Sequence, residues 1–475
     1  MPDFFKSMKQ LTKGRCLRAI IISVAGLNCF GLAGNAVADV NHVEVKRFGE
    51  LGEYAGRNYL WVKADMHGTV SRKDGSTGIY RVPVTMVYPD KDPSGFGFVD
   101  VVNTAAFALY TEANAPEGKR IVYPTGEMVF GDFLRQQGMA YIGVMSQRMV
   151  AYVLGPDYAV IENGLDGYEI TADAAKFLRN PKLTGKPVPF LPTATKSVIG
   201  FGISHTAGSL RVMMQEGQNR LDTGELVFDG ILAGVPTGCF PLHNDETRRQ
   251  PPFPPNPSFY TLEHCESDIP DDGKFITIIS ESDYLQFTPT RPDSANHRQY
   301  ELAGVSHIPQ DMINVTLMGA HDQNPVSFKP FFKSALSNLL DWIEEDTEPP
   351  QSLYLSGKHK DGKFVLERDE DGNVLGGVRL PHMTSTTPDG QLAGAPLGTY
   401  TGLDTRHLKP LNLFNVLGGT FTPFSNTDIS DRYGDHKTYV SRITRAADQM
   451  VEARFILPED RNNFVRDAEF YRFPG

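Results

Sequence analysis

Ser204, Asp283 and His307 are the residues whose types, order and surroundings could do chemistry together. A run of β-type residues from Lys196 ends in Gly202-Ile203-Ser204-His205-Thr206-Ala207-Gly208, and a helix-compatible stretch, Ser209 to Glu216, follows at once. A serine on so tight a strand-to-helix bend projects its hydroxyl clear of the chain. The bend needs small neighbours, because bulky side chains two residues away would strike the adjoining strand and helix. Gly202 meets that need, whereas Thr206 stands where a second glycine is usual. Further on, strand-like Phe275 to Ser280 runs into Glu281-Ser282-Asp283-Tyr284, and Gln299 to Leu302 runs into Ala303-Gly304-Val305-Ser306-His307. A carboxylate and an imidazole therefore follow the serine, each at a strand end.

Each type has a reason. A serine hydroxyl is a poor nucleophile until a neutral imidazole takes its proton, and a carboxylate must fix the ring's tautomer and stabilise the imidazolium. His307 is read as that base and Asp283 as its partner. Glu281 is the alternative acid, since residues two apart on a strand end face the same way, and His297 and His264 are the competing bases. The oxyanion needs preorganised N–H donors, which nominates the backbone of His205 and of the Asn103-Thr104-Ala105 turn, the latter being equally readable as an ordinary strand-to-helix turn. A base must be neutral, so activity is expected to fall as pH drops through about 6.5. The chain has no Cys-x-x-Cys, no His-Glu-x-x-His and no phosphate loop ending in Lys-Ser/Thr, which argues against metal and nucleotide chemistry.

The elements that must position these groups alternate short apolar runs with helical stretches, an α/β layered pattern. Strands are read at Tyr80 to Tyr88, Phe96 to Val102, Met139 to Met145, Ser197 to Phe201 and Val227 to Ala233, besides the two already named. Phe332, Leu336, Leu339, Leu340 and Ile343 make one apolar face of a helix over Phe331 to Ile343. Residues 235–272 carry Pro251 to Pro257 and no periodicity, so they read as an insertion over the strand ends, with Phe253, Phe259 and Tyr260 as an apolar wall or lid. After Pro349-Pro350 a loop-rich extension, 350–475, ends in helical periodicity from Thr438 to Ile456 and again after Pro458.

The first 38 residues read as an export signal. Lys6, Lys9, Lys13, Arg15 and Arg18 precede an apolar run, Ala19 to Ala33, and Ala36-Val37-Ala38 supplies a cleavage pattern. The run is shorter than the ~20 residues a membrane span needs. A periplasmic or secreted product without a stable span follows, with 39–349 as its core. Of four cysteines, two leave with the signal; Cys239 and Cys265 remain and are expected to pair in an oxidising compartment. Net charge is −11 and becomes more acidic on cleavage, which argues against nucleic acid as a partner.

Taken together, these segments resemble the "alpha/beta hydrolase domain" proteins with a long C-terminal extension, from about Tyr80 onward. The resemblance rests on the elbow with Leu210-Arg211, on Phe228-Asp229-Gly230, on Asp341-Trp342, and above all on Gly376-Gly377-Val378-Arg379-Leu380-Pro381, Gly398-Thr399-Tyr400-Thr401-Gly402 and Pro423-Phe424. Thr206-Ala207 and the longer stretch Thr384 to Pro396 depart from it. The resemblance implies an α/β-hydrolase fold, a mostly parallel sheet flanked by helices, and a serine hydrolase acting on small carboxylic esters without cofactor. A peptidase or amidase, an acyltransferase, and a non-catalytic envelope binding protein on the same fold are the rival readings.

Overall fold

The structure, a computed structural model, describes residues 38–71, 76–91, 94–102, 125–146, 160–161, 167–221, 223–236, 272–285, 293–312, 322–360, 363–403 and 417–474. The expected signal up to Val37, the Asn103-Thr104-Ala105 turn, His264, Cys239, Cys265 and most of the 235–272 insertion lie outside the described residues.

The described chain enters through three long antiparallel strands, β1 (Ala38–Tyr54), β2 (Arg57–Ser71) and β3 (Thr77–Pro89). In β2, Leu60, Val62, Ala64, Met66 and Val70 are buried while Lys63, Asp65, His67 and Thr69 between them are half-exposed, the period of two that a half-buried strand requires. The sequence reading, whose first strand starts at Tyr80, does not anticipate β1 or β2. Charges on their outer face dilute the apolar signal.

The α/β part follows as β4 (Phe96–Val101), α1 (Thr125–Phe130), α2 (Asp132–Gln136), β5 (Ala140–Val144), β6 (Val160–Ile161), α3 (Gly167–Arg179), β7 (Leu183–Gly185) and β8 (Ser197–Ile203). Then come α4 (His205–Gln215), β9 (Gly230–Gly234), β10 (Lys274–Ser280), a 3-10 turn (Glu281–Leu285), β11 (His297–Leu302) and α5 (Lys329–Glu344). All the strands join one sheet in the order β11-β10-β9-β8-β4-β5-β3-β2-β1-β7, with β6 beside β3. Neighbours from β11 to β5 run parallel, and those from β5 to β1 antiparallel.

Parallel strands must be covered on both faces, and these are. In β9, Ile231 and Ala233 join the apolar core under α3 and α4, while Leu232 joins the core under α1 and α5. The apolar face expected for the helix around Trp342 is α5, with Phe332, Leu336 and Leu339 fully buried. It lies so close that a Cβ on Gly234 would fall 2.5 Å from the Phe332 ring.

After α5 the chain returns along the outer edge of the sheet. Leu353 and Val378 pair in parallel with Tyr300 and Leu302 of β11, through Glu301 N–H to Leu353 O (2.9 Å) and Ala303 N–H to Val378 O (3.0 Å). This closes an edge that would otherwise offer free backbone groups. Three small hairpins follow, β12 (Gly357–Lys360) with β13 (Lys363–Leu366), β14 (Ser385–Thr386) with β15 (Leu392–Ala393), and β16 (Gly398–Thr401) with β17 (Thr420–Pro423). The chain ends in α6 (Asn426–Tyr433), α7 (His436–Glu452) and α8 (Pro458–Phe470). Helix α7 stops short of the expected Ile456, where Arg454 takes φ 60° and offers its carbonyl to Ser334 (2.6 Å) and Asn338 (2.9 Å) of α5. No described helix is long and apolar enough to cross a membrane.

One buried acid, not singled out by the sequence reading, sits near the end of β4. Asp100 accepts Gly126 N–H (2.6 Å) at the start of α1 and the Tyr141 hydroxyl (2.8 Å). Burial raises its pKa to about 7, against the lowering effect of those two donors. Between an unfolded value of about 3.9 and this folded value, the native chain holds a proton that the unfolded chain has lost. Stability is therefore expected to fall as pH rises from about 4 to about 7, by on the order of a few kcal/mol. Urea denaturation across that range should show the slope in the wild type and a flatter profile in Asp100→Asn.

Candidate active site

The position of Ser204 is made by backbone geometry. Ser204 follows β8 directly and has φ 60°, ψ −126°, a left-handed conformation that costs a non-glycine residue roughly 1–3 kcal/mol. The surroundings hold it there. Ser204 N–H donates to Gly234 O (2.9 Å) and Gly208 N–H donates to Ser204 O (3.1 Å). A Cβ on Gly202 would lie 2.7 Å from the Thr206 carbonyl, so the turn cannot close with any larger residue there. Thr206, the departure from the expected small residue, is a clip. Its buried Oγ1 accepts Ile203 N–H and donates to Ile203 O, both at 2.9 Å. Ser204 occupies the N-cap position of α4, but its side chain makes no cap bond. Its Oγ instead lies 3.0 Å from His307 Nε2.

The acid comes from the 3-10 turn after β10 and the imidazole from the loop after β11, as strand-end placement predicts. His307 Nδ1 stands 2.7 Å from Asp283 Oδ1. The other oxygen, Asp283 Oδ2, accepts Ser280 N–H and Ser280 Oγ–H, both at 2.8 Å. Both side chains are nearly sealed from water, 5% exposed for His307 and 2% for Asp283. The structure thus brings Ser204, His307 and Asp283 into one chain of hydrogen bonds.

The alternatives fall elsewhere. Glu281 shares the turn but is ion-paired with Arg368 of the C-terminal extension, and burial keeps its pKa raised despite that guanidinium. His297 begins β11, at the end of the strand away from the His307 loop, where it stacks on Phe275 and meets Thr277 Oγ1 at 3.2 Å. His205, whose amide is a nominated donor, is the first residue of α4, at the positive end of the helix dipole. Its imidazole is pushed down to about 4, chiefly by burial and then by the neighbouring His307. At neutral pH it places no positive charge beside His307. Sequence reasoning missed Ser280, Ser282 and Asn324, although Ser280, three residues before Asp283, was a readable sign of a donor aimed at that carboxylate.

Among the described residues one group, Glu44, Asp65 and His67 on the outer face of β1 and β2, has ligand atoms close enough for a metal ion. Its carboxylates already hold the Lys46 ammonium, at 2.6 Å from Glu44 and 3.5 Å from Asp65.

Residues 128–466 match the model of a family described as "Alpha/beta hydrolase domain". Among solved structures the chain is similar to a CE15 glucuronoyl esterase from Teredinibacter turnerae, at 10% identity and TM-score 0.27, over 56% of this chain and 77% of that one. It is also similar to lipase A of Candida antarctica in its closed state, at 9% identity and TM-score 0.31, over 64% and 83%. Oligopeptidase B of Leishmania major matches at 14% identity and TM-score 0.22, over 49% and 33%. None of the curated proteins matches the chain.

The elbow's clip makes a direct expectation. Thr206→Val leaves Ile203 N–H and C=O without the hydroxyl and should lower unfolding free energy by about 1–3 kcal/mol in urea melts. Thr206→Ser should stay near wild type.

Proposed function

The chain belongs to the alpha/beta hydrolase domain family, and from that premise we propose that it is a serine hydrolase cleaving carboxylic esters through an acyl-enzyme on Ser204. The observation that carries the reading is the continuous relay from Ser204 Oγ to His307 Nε2 (3.0 Å) and from His307 Nδ1 to Asp283 Oδ1 (2.7 Å). These lie within the reach that proton transfer needs.

In the proposed reaction Ser204 Oγ attacks the ester carbonyl carbon while His307 Nε2 takes the hydroxyl proton. The tetrahedral oxyanion is met by the His205 amide at the head of α4, where the helix dipole adds to the N–H. As the C–O bond to the alcohol breaks, His307 returns the proton to the leaving alkoxide. Water then attacks the acyl-serine, giving its proton to His307, and collapse of the second tetrahedral intermediate releases the carboxylic acid and restores Ser204. Asp283 keeps Nδ1 protonated throughout, so that Nε2 is the basic nitrogen. Ser280 prevents the carboxylate from turning away.

A fluorophosphonate probe tests this. The folded wild type should be labelled, Ser204→Ala should not, and Asp283→Asn should lose about 10⁴-fold in kcat on p-nitrophenyl acetate. Absence of labelling in the wild type would favour the binding-protein reading. Faster turnover of p-nitroanilides than of the matching esters would favour a peptidase.

A further inference from the structure

We propose that the C-terminal extension is a working part of this site: Gly402, clasped to Ser282, holds the His307 loop against Asp283, so that Ser282 and Gly402 are positioning residues. The inference rests on the hydrolase reading above.

Ser282 lies between Glu281 and Asp283 yet serves neither. Its buried Oγ accepts the backbone N–H of His307 (2.7 Å) and donates to Gly402 O (2.7 Å), 120 positions away. One hydroxyl thus ties together the acid turn, the histidine loop and the extension. Gly402 fits there because it lacks a side chain: a Cβ would lie 2.6 Å from both Glu281 Cβ and Val305 O and 2.8 Å from Ser282 N. Three further bonds, two of them from Asn324, repeat the connection. Asn324 Nδ2 donates to Gly304 O (2.8 Å) and to Thr401 O (3.2 Å), and Ile308 N–H donates to Leu417 O (3.0 Å). Arg368, also from the extension, grips the acid turn through Glu281.

The reason for such bracing is geometric. His307 must aim Nε2 at Ser204 and Nδ1 at Asp283 together, from a loop, the kind of segment that moves most. A displacement of about 1 Å can cost roughly 10²-fold in rate. Gly304, His307 and Ile308 are each pinned through a backbone atom, Ile308 directly to the extension, Gly304 through Asn324 and His307 through Ser282.

Kinetics on p-nitrophenyl acetate and fluorophosphonate labelling, beside thermal melts, test the proposal. Ser282→Ala should lower kcat by about 10²-fold with KM little changed, and should shift or abolish the low-field proton resonance of His307 Nδ1–H. Ser282→Thr, which keeps the hydroxyl, should recover much of the rate. Gly402→Ala should repeat the loss of kcat. A merely structural role would lower the melting temperature without separating kcat from KM or moving the resonance, and that result would overturn the proposal, as would wild-type kcat in Ser282→Ala. Should either variant not fold, Arg368→Gln, at a side chain 36% exposed, is expected to lower kcat several-fold, and unchanged kcat there refutes the bracing. A folded wild type that the probe does not label sinks the hydrolase reading itself, and this proposal with it; labelling of the wild type with no effect in the variants sinks the bracing alone.

Discussion

The left-handed turn at Ser204 is the constraint on which the rest depends. A serine at φ 60° is strained, and strain of roughly 1–3 kcal/mol persists only where the surroundings over-determine it. Here they do so from three sides. Strand β9 receives the Ser204 amide at Gly234, the first turn of α4 receives its carbonyl through Gly208, and Thr206 fastens both polar groups of Ile203. The strain yields a hydroxyl that points out of the bend and is not consumed in capping the helix beneath it. An unstrained serine at a helix N-cap would turn its oxygen inward to the N2 or N3 amide.

Around that bend the strand ends carry several buried carboxylates, and their partners separate their roles. Asp283 meets one imidazole and two donors from Ser280. Glu281, two residues earlier, is neutralised by Arg368. Glu301 on β11 is held by the Tyr284 hydroxyl, Gln299 and Leu355 N–H, with burial raising its pKa. Asp100 receives the Gly126 amide and the Tyr141 hydroxyl. Only Asp283 among these faces a histidine. Burial alone does not mark a catalytic acid, since an unpaired buried carboxylate takes up a proton and ceases to act as one.

How much of this was legible follows from the range of each interaction. The parallel strands announce themselves as continuous apolar runs, and the serine, acid and histidine stand at strand ends in an order that the chain itself displays. The Gly202-Ile203-Ser204 step encodes the turn because its steric demand is met by nearest neighbours. Strands β1 and β2 were missed because one face is water-exposed and highly charged, so the mean apolarity stays low although the period of two is present. The part played by Thr206 was illegible for a different reason: size was the criterion at that position, and what the structure adds is the hydroxyl's two bonds to Ile203. The short strands of the extension, two to four residues each, lie below the length at which periodicity can be read at all.

The extension shows why a site can be partly invisible in sequence. Glycine-rich Gly376-Gly377 and Gly398 to Gly402 look like loop punctuation, yet the glycines mark places where backbone meets backbone. At Gly377 (φ 66°) a side chain would strike Glu301 O at 2.4 Å, and at Gly402 it would strike the acid turn. The first contact lets Val378 add to the edge of β11, and the second lets the hairpin β16–β17 approach the loops that β10 and β11 present. Edge closure and loop bracing are thus successive consequences of one packing event, the return of the chain past α5. A parallel sheet ending at an uncovered β11 would expose both a row of unpaired backbone groups and two mobile loops at the same corner. Covering that corner resolves the two problems together, which gives the extension a physical role in the core's architecture as well as in the geometry of Ser204, His307 and Asp283.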